Sequence, residues 1–97
     1  MKEISLEDAL TISDDVIFRE LDSEAVLLNL DTGVYFGLNE VGTRIWGLIH
    51  QHGALRKVFE IMREEYEVAP DVLERDLLGL AGHLCEKGLG SVSPRQG

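Results

Sequence analysis

Positive charge is scarce in this sequence. Nine Lys and Arg stand against 18 Asp and Glu, a formal net charge of −9. Affinity for nucleic acid rests on cations that neutralise phosphates. No basic patch forms here, because Arg56-Lys57 and Arg63 are followed by Glu60 and Glu64-Glu65. Nucleic acid is therefore not the expected partner, and an acidic surface suits a basic or neutral peptide or simply solubility. Cysteine is nearly absent: Cys85 stands alone and cannot form an internal disulfide, so a reducing cytoplasm is the expected compartment. No apolar run approaches the roughly 20 residues that span a bilayer, and no membrane partner is expected. Met1-Lys2-Glu3 leads into acidic, polar sequence rather than an apolar signal region, so no secretory leader is expected.

The residues of bond-making chemistry are equally thin. His83 and Cys85 lie two apart on a predicted helix, which turns them about 200° from each other. His50 and His52 have no acidic or cysteine partner at ligand spacing, and no four-ligand pattern appears. No metal and no cofactor is expected. Gly33, Gly37 and Gly42 are separated by strand and cap residues and do not form a phosphate cradle. Asp14-Asp15 and Glu64-Glu65 read as solvated charge, and Cys85 as a small buried hydrophobe. The expectation is a protein that is not itself an enzyme.

What is present is a patterned hairpin running into helices. At 97 residues there is room for one core. Residues 1–13 are acidic and weakly patterned, and read as an N-terminal arm with a helical turn near residues 6–10. Strands are predicted at 16–21, 25–30 and 34–38 from their β-branched and aromatic content. Asp22-Ser23-Glu24 and Asp31-Thr32-Gly33 serve as tight connections, with Gly33 free to take positive φ. Short connections make the three strands an antiparallel meander. Alternation puts Val34, Phe36 and Leu38 toward the core, and Tyr35 and Gly37 on the other face. A glycine inside a strand marks close approach of another backbone, a bulge or a bend.

Asn39 caps a first helix with an apolar stripe of Val41, Ile45, Leu48 and Ile49, ending at Gly53. A second helix carries Leu55, Val58, Phe59, Met62 and Tyr66 on one face. Pro70 opens a third, whose main stripe is Leu73, Leu77, Leu80 and Leu84, with Leu78, Ala81 and Cys85 as an apolar shoulder. Gly79 and Gly82 each cost this helix roughly 1 kcal/mol relative to alanine. They suggest close packing there, whether against the other helices or a ligand. Gly88 stops the helix, and residues 91–97 read as a flexible tail. The fold class expected is α+β: a three-stranded antiparallel sheet followed by three helices.

The run Leu28-Asn29-Leu30-Asp31-Thr32-Gly33-Val34-Tyr35-Phe36-Gly37-Leu38-Asn39-Glu40-Val41-Gly42-Thr43-Arg44-Ile45-Trp46 resembles the PqqD family, the peptide chaperones of pyrroloquinoline quinone biosynthesis. The likeness continues through Tyr66-Glu67-Val68 to Asp76-Leu77, Leu80-Ala81, Leu84 and Gly88-Leu89, over residues 14–90. The resemblance implies a winged helix-turn-helix-like fold and a non-catalytic adaptor. Such a domain binds the leader segment of a ribosomally synthesised precursor peptide and presents it to a separate modifying enzyme or leader protease. In the family the leader adds as a further strand beside the third helix. Carried to this chain, the pairing residues are Val34, Tyr35, Phe36, Gly37 and Leu38. The groove walls are Leu77, Leu80 and Ala81, and Asp76 takes a leader cation or hydroxyl, or braces the backbone. Free-standing members serve lasso-peptide or quinone-cofactor pathways, and the hairpin resembles the lasso type slightly more. The alternatives are a winged-helix transcription regulator, against which the acidic third helix argues, and an edge-strand dimerisation module. A homodimer of the unliganded chain is compatible with the adaptor too, because an open edge seeks a partner.

Overall fold

Each of the three β-rich segments becomes a strand, because alternation and a short connection leave it no cheaper way to bury its apolar side. The computed structural model describes residues 4–94. Its elements are β1 (Asp8–Ile12), β2 (Val16–Leu21), β3 (Glu24–Asn29), β4 (Tyr35–Leu38), α1 (Glu40–His52), α2 (Leu55–Glu65), α3 (Pro70–Glu86) and β5 (Gly90–Pro94). Strands β2, β3 and β4 form an antiparallel sheet in that order. Three helices follow it, so the α+β class stands. Both β2 and β4 are edges.

One face of the sheet meets the helices. Ala25, Leu27 and Leu38 are buried there with Ile45, Trp46, Leu48 and Ile49 of α1. Phe18 of β2 stacks on Trp46 with ring centroids 6.2 Å apart. Leu55, Val58, Phe59 and Met62 carry the core through α2, and Leu73, Leu77, Ala81 and Leu84 through α3. The other face carries Ile17, Leu21, Val26, Leu30 and Tyr35, all exposed.

Asn39 caps α1 as expected, its Oδ1 accepting from the Gly42 amide at 2.8 Å. Val41, placed on the buried stripe from its spacing, is exposed, and Gly42 is buried in its place against Leu38 and Asn39. The first turn lies tight on the strand end: a Cβ at Gly42 would stand 3.3 Å from the Asn39 and Leu38 side chains.

The chain ends differ from expectation. Asp8–Ile12, read as part of a loose arm with a helical turn, is a strand, and Gly90–Pro94, read as tail, pairs with it antiparallel. Leu10 stands opposite Val92, and Leu6, Leu10 and Leu89 are buried in the common core. The strand is tied further by the Leu10 amide to Gly53 O at 2.9 Å and the Ser13 amide to Leu89 O at 3.1 Å. The pairing joins opposite ends of the sequence, so neither segment signals it locally. The outermost parts of the expected arm and tail, residues 1–3 and 95–97, lie outside the described residues.

Candidate functional site

The backbone of β4 can be read group by group. The Asn29 amide donates to the Val34 carbonyl at 2.8 Å, which makes 29 and 34 a hydrogen-bonded pair. An antiparallel ladder alternates such pairs with non-bonded ones. The register Leu28↔Tyr35, Leu27↔Phe36, Val26↔Gly37, Ala25↔Leu38 is unbroken. Phe36 and Leu38 therefore turn their amides and carbonyls inward to β3, and Tyr35 and Gly37 turn theirs outward to the open edge. The Leu30 amide bonds the Asp15 carbonyl at 2.9 Å, which sets the opposite parity toward β2 and agrees with this assignment. Side chains follow the alternation expected: Phe36 is half-buried and Leu38 buried, while Gly37 is exposed and Tyr35 is 73% exposed. Val34 lies just before the strand, and its carbonyl is turned inward to the Asn29 amide.

Asn29 holds this hairpin in place. Its Oδ1 accepts from the amides of Asp31 at 2.8 Å and Thr32 at 3.2 Å, shaping the turn that Gly33 completes at φ 78°. Its Nδ2 donates to the Gly88 carbonyl at 2.8 Å, just beyond the end of α3. One buried side chain thus pins both the loop before β4 and the end of the helix beside it. Sequence reasoning passed over it; the signal was a polar residue on the buried phase of a strand.

Helix α3 meets β4 through His83, whose ring lies edge-on to Phe36 at 6.3 Å between centroids. At about 100° per residue, Asp76, Gly79, Leu80 and His83 fall on one face of the helix. Leu73, Leu77, Ala81 and Leu84 fall on the adjacent one. The two faces differ in exposure. Asp76, Gly79 and His83 are exposed and Leu80 is half-buried, whereas Leu77 and Ala81 have 0% exposure. Of the four helix residues anticipated, Asp76 and Leu80 sit on the face beside β4, and Leu77 and Ala81 lie beneath it in the core. Leu77 and Ala81, expected as groove walls, are fully buried in this structure. Gly79 and His83, not singled out from the sequence, share this face at i+3 and i+7 from Asp76.

The electrostatics are mild. Asp76 is 3.8 Å from the neighbouring Arg75, beyond hydrogen-bonding range, which leaves its carboxylate to solvent or a guest. Burial pushes the Cys85 thiol above its ordinary range, so it is a poor nucleophile at neutral pH. Among the described residues no group of three or more His, Cys, Asp or Glu is placed to hold a metal ion. None of the described helices is long and apolar enough to cross a membrane. A concavity of about 660 Å³ between β1, β2 and α1 lies away from β4. A strand edge is an open flank rather than a cavity, so volume does not mark it. What the β4–α3 arrangement offers is a row of main-chain donors and acceptors beside a half-apolar helix face, the geometry that receives an extended peptide.

Comparison with known proteins gives the chain a family. A model of the family described as Coenzyme PQQ synthesis protein D (PqqD) matches residues 24–89. No curated protein matches. Among solved structures, the chain is similar to TbiB1 in complex with the TbiA(beta) leader peptide, with 40% identity and a TM-score of 0.79, over 84% of this chain and 94% of that one. It is also similar to a lasso peptide synthetase B1 complexed with the leader peptide, with 25% identity and a TM-score of 0.76, over 86% and 98%. The family match runs from β3 through the edge strand and all three helices, and on that ground the chain belongs to the PqqD family.

Proposed function

We propose that this protein is a non-catalytic adaptor that binds the leader segment of a ribosomally synthesised precursor peptide. The leader adds as a fourth strand to β4, and a separate modifying enzyme or leader protease receives it. The observation that carries this reading is the outward turn of the Tyr35 and Gly37 backbone at an edge flanked by α3. Main-chain pairing gives affinity with little demand on sequence, and pockets for alternate side chains give selection. Side chains of the guest that point to the core side enter between Phe36, Leu80 and His83. Asp76 takes a cation or hydroxyl of the guest. Likeness to two leader-bound proteins, one of them a lasso peptide synthetase B1, supports a lasso-type pathway over a quinone-cofactor one. The lone, unpaired Cys85 suits a reducing cytoplasm. Without a guest, the same edge is available to a second copy.

The test uses the alternation itself. Gly37→Pro removes an outward amide and spares the ladder to β3. Calorimetric titration with the leader of the cognate precursor should show binding weakened about threefold to tenfold, the worth of one net hydrogen bond, with the melting temperature nearly kept. Phe36→Pro removes an inward donor and should lower the melting temperature instead. Unchanged leader affinity in folded Gly37→Pro rules out strand addition at β4.

A further inference from the structure

The sheet has a second open edge, on β2. The Leu30 amide bonds the Asp15 carbonyl, and an antiparallel ladder alternates bonded with non-bonded pairs. Counted along the register of β2 on β3, Ile17, Arg19 and Leu21 turn their main-chain groups inward. Val16, Phe18 and Glu20 turn theirs outward. The Ser13 carbonyl already takes the Val16 amide at 3.3 Å, so the amides left to a newcomer are those of Phe18 and Glu20. Their side chains share the helix side of the sheet with Leu27 and Ala25, the buried residues they face on β3.

Helix α1 flanks this edge. Two concavities meet along it at Phe18 and Gly47. The one of about 660 Å³ has Ile12, Val16, Trp46 and Ile49 on its border. The other, of about 450 Å³, is bordered by Phe18, Glu20, Ser23, Glu40, Thr43 and Tyr66. The second has the chemistry of a cation acceptor. Glu20 and Glu40 are exposed and have no ion-pair partner among the described residues. Arg44, which also borders it, is engaged by Glu65. The Thr43 hydroxyl oxygen is buried and has no hydrogen-bond partner among the described residues, whereas buried polar groups are ordinarily satisfied. Phe18 and Tyr66 add aromatic faces, which attract cations.

We propose that the β2 edge and α1 form a second docking site, which takes an extended strand of a partner protein and seats its lysine or arginine side chain in the concavity between Glu20 and Glu40. Residues that face each other across a ladder share a face of the sheet. The partner residue opposite Glu20 therefore enters that concavity, where its cation meets two carboxylates and an unpaired hydroxyl. The residue opposite Val16, four positions along, enters the apolar concavity. The segment recognised carries an apolar and a basic residue four positions apart. A second copy of this chain does not supply it. Outward residues pair with outward residues, so β2 on β2 brings only Val16, Phe18 or Glu20 opposite Glu20, and two chains of net charge −9 repel. The β4 edge is two strands away, about 10 Å, so both edges can be filled at once. One edge then holds the guest and the other holds a partner.

The experiment selects a randomised peptide library displayed on phage, with the cognate leader in excess so that β4 is filled. The targets are the parent, the double variant Glu20→Gln with Glu40→Gln, and a charge-matched control, Glu64→Gln with Glu86→Gln. All these carboxylates are exposed, so melting curves should stay close to the parent's. The parent should enrich a basic residue four positions from an apolar one, and the control should keep that preference. The Glu20, Glu40 variant should lose it at least about tenfold. A selected peptide added to isotope-labelled parent should shift the amide resonances of Phe18 and Glu20. The proposal is overturned if no basic residue is enriched, or if the preference survives in the Glu20, Glu40 variant. Equal loss in the control overturns it as well, since net charge alone then attracts the peptides. Shifts at Tyr35 and Gly37 in place of Phe18 and Glu20 overturn it too. Leader addition at β4 is tested separately by Gly37→Pro, so either reading can fail without the other.

Discussion

At the scale of single residues, Asn29 has the greatest reach. It is buried, shapes the β3–β4 turn with its oxygen, and reaches the end of α3 with its amide nitrogen. Removing it leaves the Gly88 carbonyl and the turn amides without their partner. Buried polar groups left unsatisfied cost about 1–3 kcal/mol. Asn29→Ala should lower the free energy of unfolding by about that amount, read from urea denaturation. It should also weaken leader binding by the protein that remains folded, because the angle between β4 and α3 is no longer held. Unchanged affinity in the folded variant would show that the turn and the helix end position the site without this bridge.

At the scale of elements, the division of α3 into two adjacent faces separates stability from recognition. Leu77 belongs to the buried face and Leu80 to the margin beside β4. Leu77→Ala leaves a cavity in a packed core, and such changes cost about 2–5 kcal/mol; affinity per folded molecule should stay close to the parent's. Leu80→Asp puts a charge on the face proposed to meet the guest, so it should weaken binding at least about tenfold with a smaller loss of melting temperature. Melting curves set beside calorimetric titrations check both. If the two variants change places, the face of α3 that meets the guest has been misassigned.

At the scale of the whole molecule, acidity dominates, and the ion pairs that offset it are on the surface. Arg44 donates to Glu65 through Nε at 2.8 Å, and Arg56 to Glu7 through Nε at 2.9 Å. The first pair joins α1 to the end of α2. Arg44 holds the Glu65 carboxyl below its ordinary value of 4.5. A lowered folded-state pKa means a contribution that is present above the ordinary value and lost as pH falls through the folded one. Both partners are substantially solvated, so the effect is small and screened by salt. Melting temperatures of the parent and Arg44→Ala should differ slightly at neutral pH and converge as the pH is taken below 4.5. A difference that persists undiminished at low pH would show that Arg44 acts through packing of its stem.

The strands β2, β3 and β4, the cap at Asn39, the proline start of α3 and the glycine stops were all legible in the residues. They depend on alternation, periodicity and hydrogen bonds between near neighbours, which a linear pattern carries. The family likeness was legible for the same reason, since it lives in that ordered local series. Three matters were decided only in three dimensions. The pairing of β1 with β5 joins segments whose partners are at the other end of the chain. Which residues of α3 face β4 depends on how the helix is rolled against α2 and β5, where fit between surfaces outweighs side-chain hydrophobicity. The outward turn of the Tyr35 and Gly37 backbone depends on which partner hydrogen bond the hairpin closes first. Long-range docking sets the first two, and no window of neighbouring residues contains them; the third is set within residues 29–34 by turn geometry, which the alternation of side chains alone does not reveal.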